Sequence, residues 1–453
     1  MTQWTEDIIS AEIAGTLDGL LCERVRRTPD TVAYRSYDAA RKQWTESSWN
    51  DIGRATARWQ AALAAEDLVP GERVALQLRN SKEWVSFDQA ALACALVVVP
   101  LYTDDRPENI AYILRDSAAR VLLVQDLSGW ERLAPLLKDY EELKRVLILN
   151  APESLPEQSG LDERVRFVPG WLPGEFHTLV RRPGDPHALA SIVYTSGTTG
   201  RPKGVMLSHY NMLSIAHAAL TMIDVYQEDQ FLSFLPLSHT LERTAGYYLP
   251  MMTGSVVAYA RSVPQLAEDL LMIRPTALIA VPRIFERVFV RIQGQLNKQS
   301  ALARALFRLT AGVGWRRFEY QQQRAGWHLK LLAWPLLKRL VADKVTAKLG
   351  GRLRLTVSGG AALPVPVAKT FISLGVPILQ GYGLTETSPV ISVNLPLDND
   401  PASVGVPLNG VEARIGEDDE LLVKTPGRMI GYWNNHAATA EMIDPEGWLH
   451  TGD

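Results

Sequence analysis

From residue 71 onward, short apolar segments typical of buried strands alternate with segments of helical periodicity. The strand candidates, in chain order, are 73–78, 96–100, 120–124, 188–194, 230–235, 255–259, 276–281, 353–358 and 376–380. Apolar strands that alternate with helices indicate parallel sheets covered on both faces. We therefore predict an α/β fold with two parallel-sheet α/β subdomains in a layered arrangement.

The two ends of the chain depart from this alternation. The first 69 residues predict a helix over 13–28, a hairpin of 32–35 with 43–47, and a further helix that opens at Ser48. From Asn394 the segments shorten and turn-forming residues become denser, which predicts a small β unit, a distorted barrel. Subdomains are predicted at 70–225, at 1–69 together with 226–393, and at 394–453, with an exposed connector over 152–186.

Composition excludes several classes of protein. Of the 453 residues, 47% are hydrophobic, and the formal net charge of −3 does not suggest nucleic-acid binding by the chain as a whole. Two cysteines, Cys22 and Cys94, are too few for a disulfide framework and fit a reducing compartment. The first residues lack the basic and apolar pattern of a secretory signal, and no apolar run reaches the roughly 18 to 20 residues of a bilayer span. We expect a soluble, cytoplasmic protein.

A long Gly, Ser and Thr string follows one of the strand candidates: Tyr194-Thr-Ser-Gly-Thr-Thr-Gly-Arg-Pro-Lys-Gly-Val205. Its glycines, at 197, 200 and 204, allow backbone N–H groups to approach an anion because no Cβ blocks the way. Ser208 is predicted to cap a following helix, so the layout is strand, loop and helix. The candidate phosphate ligands are Thr195, Ser196, Gly197, Thr198, Thr199, Gly200 and Lys203. A polar turn without a ligand is the alternative.

Two later glycine turns also follow strand candidates. The first is Ser358-Gly-Gly-Ala361, in which the glycines would admit a flat ligand close to the backbone. The second is Gln380-Gly-Tyr-Gly-Leu-Thr-Glu386, which contains Gly381, Tyr382, Gly383 and Thr385. It offers an aromatic ring face, a hydroxyl and a carboxylate suited to Mg²⁺. The alternatives are an ordinary strand-to-helix turn for Gly359 and Gly360, a core tyrosine and a surface glutamate.

Two further residues are candidates by position. His239 follows a strand end, where α/β folds place ligands, although a lone histidine is more often structural. Asp453 closes the string Gly447-Trp-Leu-His-Thr-Gly-Asp, and a carboxylate accepts two O–H donors well.

These strings together resemble the phosphate, adenine and ribose signatures of the adenylate-forming, or AMP-binding, superfamily. The resemblance covers essentially all the residues present and identifies 1–453 as an adenylation domain with bound ATP or AMP. It implies that the loop with Lys203 holds the β- and γ-phosphates, that Tyr382 stacks on adenine, that Thr385 lies near the α-phosphate and that Asp453 binds the ribose hydroxyls. The implied metal ligands for Mg²⁺ are Thr198 and Glu386, and the implied catalytic residues are Lys203, His239, Thr385 and Glu386. For His239 a positioning role beside the carboxylate substrate is expected rather than acid–base work.

Within that superfamily the chain resembles the long-chain fatty acyl-CoA synthetases, because a basic, tryptophan-containing insertion separates 283–287 from Leu353. The implied reaction joins a long-chain fatty acid and ATP into acyl-AMP and pyrophosphate, after which coenzyme A takes the acyl group. In the family a small C-terminal domain follows the ribose motif, and none follows Asp453 here, so we expect nucleotide binding with feeble turnover. A fatty acyl-AMP ligase and a non-catalytic nucleotide-binding module are the alternatives.

The insertion is strongly basic. Residues 298–348 contain eleven Lys and Arg against Glu319 and Asp343, a formal +9, interleaved with tryptophans. This pattern fits a helix on an anionic membrane surface, at the inner face of a membrane. A solvated helical hairpin packed on the main body fits it equally well, while nucleic acid fits less well because no binding motif accompanies the charge. The preferred chain length and the oligomeric state do not follow from the sequence.

Overall fold

The computed structural model describes residues 4–152, 162–174, 177–181, 183–195 and 200–453. The strands are β1 Val32–Asp38, β2 Gln43–Ser48, β3 Arg73–Gln77, β4 Val97–Pro100, β5 Ala119–Asp126, β6 Arg145–Asn150, β7 Val165–Phe167, β8 Leu189–Thr195, β9 Lys203–Ser208, β10 Gln230–Ser233, β11 Val256–Tyr259, β12 Ala277–Ala280, β13 Leu355–Ser358, β14 Ile378–Tyr382, β15 Ser392–Val393, β16 Val406–Pro407, β17 Glu412–Ile415, β18 Leu421–Lys424, β19 Gly431–Tyr432 and β20 Leu449–His450.

The α-helices are α1 Ala11–Ala14, α2 Leu17–Arg27, α3 Trp49–Ala64, α4 Lys82–Ala93, α5 Pro107–Asp116, α6 Leu127–Leu133, α7 Val168–Trp171, α8 His209–Leu220, α9 Thr240–Arg243, α10 Leu249–Thr253, α11 Leu266–Ile273, α12 Pro282–Asn297, α13 Ala301–Gln321, α14 Trp334–Leu337, α15 Asp343–Thr346, α16 Val365–Ser373 and α17 His436–Met442. Two π-helical segments, Thr244–Tyr248 and Lys338–Ala342, continue α9 and α14. In the described ranges no helix is long and apolar enough to cross a membrane.

Two large sheets organise these elements. One has the strand order β16-β15-β14-β13-β12-β10-β11-β1-β2, and the other has the order β19-β9-β8-β4-β3-β5-β6-β7. The central pairs of both sheets are parallel, and antiparallel pairs occur toward the edges. The predicted α/β fold with two parallel sheets is confirmed. The strands of the two sheets come from different parts of the chain, and the proposed subdomain boundaries stay a prediction.

The molecule has five layers, which are the two sheets, the helices between them and the helices on the outer face of each sheet. Phe231 and Val257 of the first sheet belong to a cluster that also contains residues of the second sheet and of α2, α4 and α8. Their neighbours Leu232 and Ala258 point to the other side and pack with α11, α12, α13 and α16. The outer face of the second sheet is covered in the same way by α5 and α6. Successive residues of a strand face opposite sides, so each sheet is buried on both faces.

Several local predictions are confirmed. The hairpin is β1 with β2, paired antiparallel. Ser48 caps α3 and Ser208 caps α8, each through a side-chain oxygen that accepts an N–H bond in the first turn. Such caps satisfy donors that the helix itself leaves free, which is why these serines mark helix starts.

Three expectations were wrong. The helix over 13–28 is split into α1 and α2, because Gly15 takes a φ of 67° and Thr16 caps α2. The connector 152–186 contains β7 and α7 in its described part. The β unit after Asn394 is an open antiparallel sheet, β17-β18-β20, and not a barrel. Its short neighbours β16 and β19 pair with the two large sheets instead, so too few strands remain to close a barrel.

Candidate functional site

A cavity of about 500 Å³ lies at the carboxyl ends of β12, β13 and β14. This is the edge at which open α/β sheets bind ligands. The cavity lining includes these predicted site residues: Thr195, Lys203, His239, Gly359, Gly360, Gly381, Tyr382, Gly383, Thr385 and Glu386. The structure therefore brings together residues from four separate sequence motifs, and the individual roles predicted for them stay predictions.

The phosphate loop differs from the predicted layout. It connects β8 to the antiparallel strand β9, and α8 begins only after β9. Lys203 is the first residue of β9 and lines the cavity. Gly200 is exposed with a φ of 122°, a conformation that favours glycine. The predicted ligands Ser196, Gly197, Thr198 and Thr199 lie outside the described residues.

Gly204 is closely packed, and the predicted approach of its N–H group to an anion stays a prediction. A Cβ at this position would lie 2.8 Å from Ile192 Cγ2 and 3.0 Å from Tyr194 Cζ. Its carbonyl accepts a hydrogen bond from the Trp433 N–H at 2.7 Å. The glycine allows β9 to lie between a strand neighbour and the tryptophan.

The turn after β13 and the end of β14 lie side by side because Ser358 pairs with Gln380 in parallel register. Gly360 has a φ of 80°, which favours glycine. A Cβ at Gly383 would lie 1.7 Å from the Pro389 carbonyl oxygen, so any side chain there would displace the backbone. The glycines thus give both turns the shape that opens the cavity.

Five predicted ligands in the described part of the chain do not line the cavity: Gly200, Ser358, Ala361, Gln380 and Asp453. The Gln380 amide instead accepts from the Leu363 N–H and donates to the Pro401 carbonyl, each at 2.8 Å, which braces the two turns. Ser358 is fully buried, and Ala361 is exposed. A glutamine in such a string looks the same in sequence whether it binds a ligand or its own backbone.

Tyr382 and Asp453 are in direct contact. The Tyr382 hydroxyl donates to Asp453 Oδ2 at 2.5 Å. Burial and this carboxylate raise the pKa of Tyr382, so the hydroxyl stays a donor. The two residues to which the resemblance gives adenine and ribose contacts, 71 positions apart, are thus in contact, and Tyr382 lines the cavity.

His239 forms part of the cavity wall. Its Nδ1 accepts from the Leu241 N–H at 3.1 Å, so the imidazole caps the short helix α9. The ring is exposed toward the cavity, and partial desolvation by the surrounding protein lowers the pKa of His239, which favours the neutral ring near neutral pH. A ring held by its own helix is suited to shaping the site, and the predicted positioning role of His239 stays a prediction.

Glu386 and Lys203 meet at a residue that the sequence analysis missed. The Tyr432 hydroxyl donates to Glu386 Oε1 at 2.7 Å, and the Lys203 Nζ lies 5.1 Å from the centroid of the same ring. Thr385 is nearby, with its Oγ1 3.4 Å from that of Thr240. The only sequence signal for Tyr432 is a glycine followed by two aromatic residues, a pattern that ordinary core tyrosines share.

The far end of the cavity is apolar, and none of its residues was predicted. Its walls come from α8, the segment after it, β10, β12, β13, α10 and the segment beyond β14. The lining side chains there are Ala219, Ile223, Val225, Phe231, Leu249, Ile279, Leu355, Val357, Val390 and Val393. Leu355 and Val357 of β13 and Gly359 just after it alternate along the chain, so this wall runs about 13 Å from the glycine turn to Leu355.

The donor set at the polar end fits a hard divalent cation. Glu386 supplies a carboxylate, and no cluster of three or more His, Cys, Asp or Glu occurs in the ranges that the structure describes. Mg²⁺ is commonly held by one or two carboxylates together with substrate phosphates and water. One carboxylate beside a lysine and hydroxyls agrees with that pattern.

Comparisons with known proteins agree with this geometry. A family model described as AMP-binding enzyme matches residues 21–433. The long-chain-fatty-acid–CoA ligase FadD15 of Mycobacterium tuberculosis is 32% identical over 449 residues, which cover 96% of this chain and 71% of that protein. Long-chain-fatty-acid–CoA ligase 1 of Homo sapiens is 32% identical over 410 residues, covering 85% of this chain and 57% of that protein. The peroxisomal long chain acyl-CoA synthetase 6 of Arabidopsis thaliana is 30% identical over 430 residues, covering 90% and 59%.

Solved structures share the fold. The anthranilate CoA ligase AuaEII in complex with anthranoyl-AMP superposes with a TM-score of 0.75 at 20% identity, covering 98% of this chain and 77% of that chain. The N-terminal domain of FACL13 from Mycobacterium tuberculosis gives a TM-score of 0.68 at 22% identity, covering 97% and 96%. At these identities the similarity shows the architecture and leaves substrates open.

Proposed function

Because this chain belongs to the AMP-binding enzymes and is an AMP-forming acid–thiol ligase by its relatives, we propose that its acid is a long-chain fatty acid. The observation that carries the proposal is the two-part cavity, with charged and hydroxyl groups at one end and an apolar end about 13 Å away along β13. A fatty acid has the same two parts. Its carboxylate would lie beside Thr385 and His239, and its chain along β13.

In the proposed first step the carboxylate attacks the α-phosphate of ATP, and pyrophosphate leaves with its electron pair. Both reactants are anions, so the site has to neutralise charge and align the atoms rather than supply a strong base. Lys203 binds phosphate oxygens, the Tyr382 ring faces the adenine, and the Asp453 carboxylate accepts hydrogen bonds from the ribose hydroxyls. Glu386 and Thr198 would hold Mg²⁺, which would supply charge neutralisation at the departing phosphates.

In the proposed second step the thiol sulfur of coenzyme A attacks the acyl carbonyl, the bond from that carbon to AMP breaks so that AMP leaves, and the thiol proton passes to solvent. Gly359 and Gly360 border the cavity where the acyl carbonyl and the adenine would meet. The neutral His239 ring would shape the path of the thiol without taking its proton. A fatty acyl-AMP ligase would share the first step and differ in the acceptor, so dependence on coenzyme A separates the two.

Acyl-AMP analogues test the proposal without requiring turnover. We expect alkyl esters of AMP to bind the chain more tightly as the alkyl group lengthens, because each buried methylene contributes about 0.8 kcal/mol. Calorimetric titration of esters with short, medium and long chains measures this. Lys203→Ala is expected to weaken ATP binding and pyrophosphate release. Equal affinity for all esters would contradict the fatty-acid assignment, and no binding of ATP or any ester would contradict the nucleotide site itself.

We further propose that the insertion 298–348 contacts an anionic membrane surface. The sequence allowed two interpretations of this insertion, a helix on a membrane surface and a hairpin packed on the main body. The structure shows which of its apolar side chains are buried and which are exposed. Phe318, Trp334 and Leu337 pack on the main body with 8%, 8% and 4% of their surface exposed, as the hairpin interpretation requires. Packing on the main body does not account for the apolar side chains on the exposed face of the same segment.

That other face is a stripe of leucines. Leu329, Leu332, Leu336 and Leu340 follow one another at helical spacing and are 70%, 69%, 62% and 42% exposed. Trp327, 56% exposed, extends the stripe. Exposed apolar side chains contiguous along one face, as opposed to scattered singly, mark an interaction surface.

The charge around the stripe favours a lipid surface as the partner. Basic residues border it, and those exposed are Lys330, Lys338, Arg339 and Lys344. An apolar stripe with a basic border is the pattern of helices that lie in an anionic membrane interface. A protein partner is the alternative, and absence of vesicle binding in the test below would favour it.

Vesicle sedimentation tests this contact. We expect the chain to sediment with vesicles that contain phosphatidylglycerol and less with pure phosphatidylcholine, with binding that weakens as salt rises. The pair Leu332→Glu and Leu336→Glu should abolish binding. Leu397→Glu, at a leucine 81% exposed outside the insertion, is the matched control and should bind normally. Equal loss in both variants, or none in either, would contradict the assignment.

A further inference from the structure

Tyr432 lies between Lys203 and Glu386, the two charged side chains of the polar end of the cavity. Its hydroxyl donates to the Glu386 carboxylate at 2.7 Å, and its ring face lies 5.1 Å from the Lys203 ammonium. The side chain is 6% exposed and lines the same cavity. One buried phenol therefore contacts an anion through its edge and a cation through its face.

The position of this ring is fixed by the segment 427–433, which we call the strap. The Met429 N–H donates to the Glu386 carbonyl at 2.8 Å, and the Ile430 N–H donates to the Met206 carbonyl at 2.9 Å. The last residues of the strap form β19, which pairs with β9. The strap thus ties the strand that carries Lys203 to the turn that carries Glu386.

The strap has little freedom to move. Gly431 has a φ of 154°, and a Cβ there would lie 2.8 Å from Thr439 Cγ2. A Cβ at Gly427 would lie 2.3 Å from Ile215 Cγ1. The Tyr432 N–H donates to Thr439 Oγ1 at 2.9 Å. Close packing at both ends and a hydrogen bond beside the ring hold Tyr432 in one place.

We propose that Tyr432 is a positioning residue of the adenylation site, whose hydroxyl orients the Glu386 carboxylate for a divalent cation and whose ring keeps the Lys203 ammonium apart from that carboxylate. The inference rests on the function proposed above. Carboxylates that bind metals are themselves oriented by hydrogen-bond donors, and loss of such a donor weakens metal binding. Glu386 has such a donor in Tyr432.

The ring matters because the two charges would otherwise attract each other. A lysine and a glutamate in a partly buried cavity interact more strongly than in water, and a direct ion pair would occupy the charge that each offers to the substrate. An aromatic face attracts an ammonium without neutralising it. Tyr432 therefore keeps the lysine available for phosphate and the carboxylate available for the cation.

The experiment measures metal binding separately from nucleotide binding, in the full 453-residue chain. Mn²⁺, which is paramagnetic, is titrated into the ATP-saturated protein and followed by electron paramagnetic resonance. Calorimetry with chelator present gives the affinity for metal-free ATP. We expect Tyr432→Phe to lower the Mn²⁺ affinity about 10- to 100-fold and to leave the affinity for metal-free ATP unchanged.

Tyr37→Phe is the matched control, because this ring also carries a cation, with Arg261 5.0 Å from its centroid, but lies outside the cavity. It should leave both affinities unchanged. Unchanged Mn²⁺ affinity in Tyr432→Phe, with ATP bound normally, would overturn the inference alone. If the unsubstituted chain binds no ATP, the proposed function falls and this inference with it.

A second variant tests the role of the ring. Tyr432→Leu removes both hydroxyl and ring, so Lys203 is expected to pair with Glu386 and the affinity for metal-free ATP should fall as well. Adding Glu386→Gln should then restore that affinity, because the lysine regains its charge for phosphate. If Tyr432→Leu only disrupts the local structure, the double variant should bind metal-free ATP as weakly as Tyr432→Leu alone. That result would overturn the inference that the ring keeps Lys203 apart from Glu386.

Discussion

In this protein the surroundings of a buried ionisable side chain, more than its residue type, determine whether it carries a charge. Glu242 follows the cavity-lining residue Leu241 and is 1% exposed, and its Oε2 has no hydrogen-bond partner in the described structure. Burial raises the pKa of Glu242 to about 8. A Cβ at Gly246 would lie 2.4 Å from its Oε1, so the π-helical turn there leaves room for a protonated carboxyl.

This glutamate makes stability depend on pH. The folded protein keeps the proton up to a pKa of about 8, whereas the unfolded chain releases it near 4.5. Between those values the unfolded state binds fewer protons, so the free energy of unfolding falls as pH rises. Glu242→Gln stays neutral throughout and should remove this part of the slope.

Urea denaturation of the original chain and of Glu242→Gln across that pH range measures the effect, as the difference between their free energies of unfolding. His209, whose pKa burial lowers to about 4, contributes a slope of opposite sign, with stability lost as pH falls below about 6.5. That contribution is common to both proteins and cancels in the difference. Parallel pH profiles for the original chain and Glu242→Gln would contradict the neutral state of Glu242.

At the scale of elements, strand register decides where the apolar cavity ends. Phe231, Ala277 and Leu355 lie opposite one another on β10, β12 and β13. Phe231 and Leu355 are 2% and 5% exposed and line the cavity at the amino ends of their strands. Arg354, next in sequence, pairs with Asp229. We expect this row to limit the length of a bound chain.

Leu355→Ala should extend the accepted chain length. The space vacated at the apolar end admits further methylenes, and a methylene in such a pocket changes kcat/KM about 10-fold or more. The measurement is acid-dependent pyrophosphate release over a series of fatty acids. Leu232→Ala is the matched control, since Leu232 is equally buried but faces the opposite side of the sheet.

Both variants delete the same atoms and should lose about 2 to 5 kcal/mol of stability. Only Leu355→Ala should shift the preferred acid to longer chains. The same shift in both variants would show that general loosening, and not the end of the cavity, sets the chain length.

At the scale of the whole molecule, one buried ion pair joins the two large sheets. Asp88 on α4 and Arg243 on α9 are 0% and 1% exposed and in direct contact. Arg243 also donates to Ser191 of β8 at 2.7 Å, and Tyr247 donates to Asp88 at 3.0 Å. A buried charge without its partner is costly, so this network favours one arrangement of the two sheets.

Arg243→Met should lower the free energy of unfolding by about 3 to 5 kcal/mol, because it leaves the Asp88 carboxylate buried without its partner. Urea denaturation measures the loss. Arg41→Met, which removes an exposed arginine paired with Asp38 at 3.8 Å, is the control and should change stability little. Similar losses in both would contradict a special role for the buried pair.

Local interactions explain which features the sequence by itself determined. The central strands were predictable from runs of apolar residues, and the starts of α3 and α8 from Ser48 and Ser208, because a cap acts within one turn. The motifs around Lys203, Tyr382 and Glu386 could be recognised in the sequence because each is one continuous stretch of chain next to a strand end. Their family resemblance added the expected ligands.

Tertiary structure alone decided what depends on contacts between distant segments. Tyr432 reaches Glu386 from 46 positions away, and the apolar cavity is assembled from strands and helices whose side chains share no sequence pattern. The β unit did not close into a barrel because β16 and β19 gained partners in the large sheets. Short-range rules determine single elements, whereas the pairing of sheet edges and the packing of side chains across layers depend on the whole chain being folded.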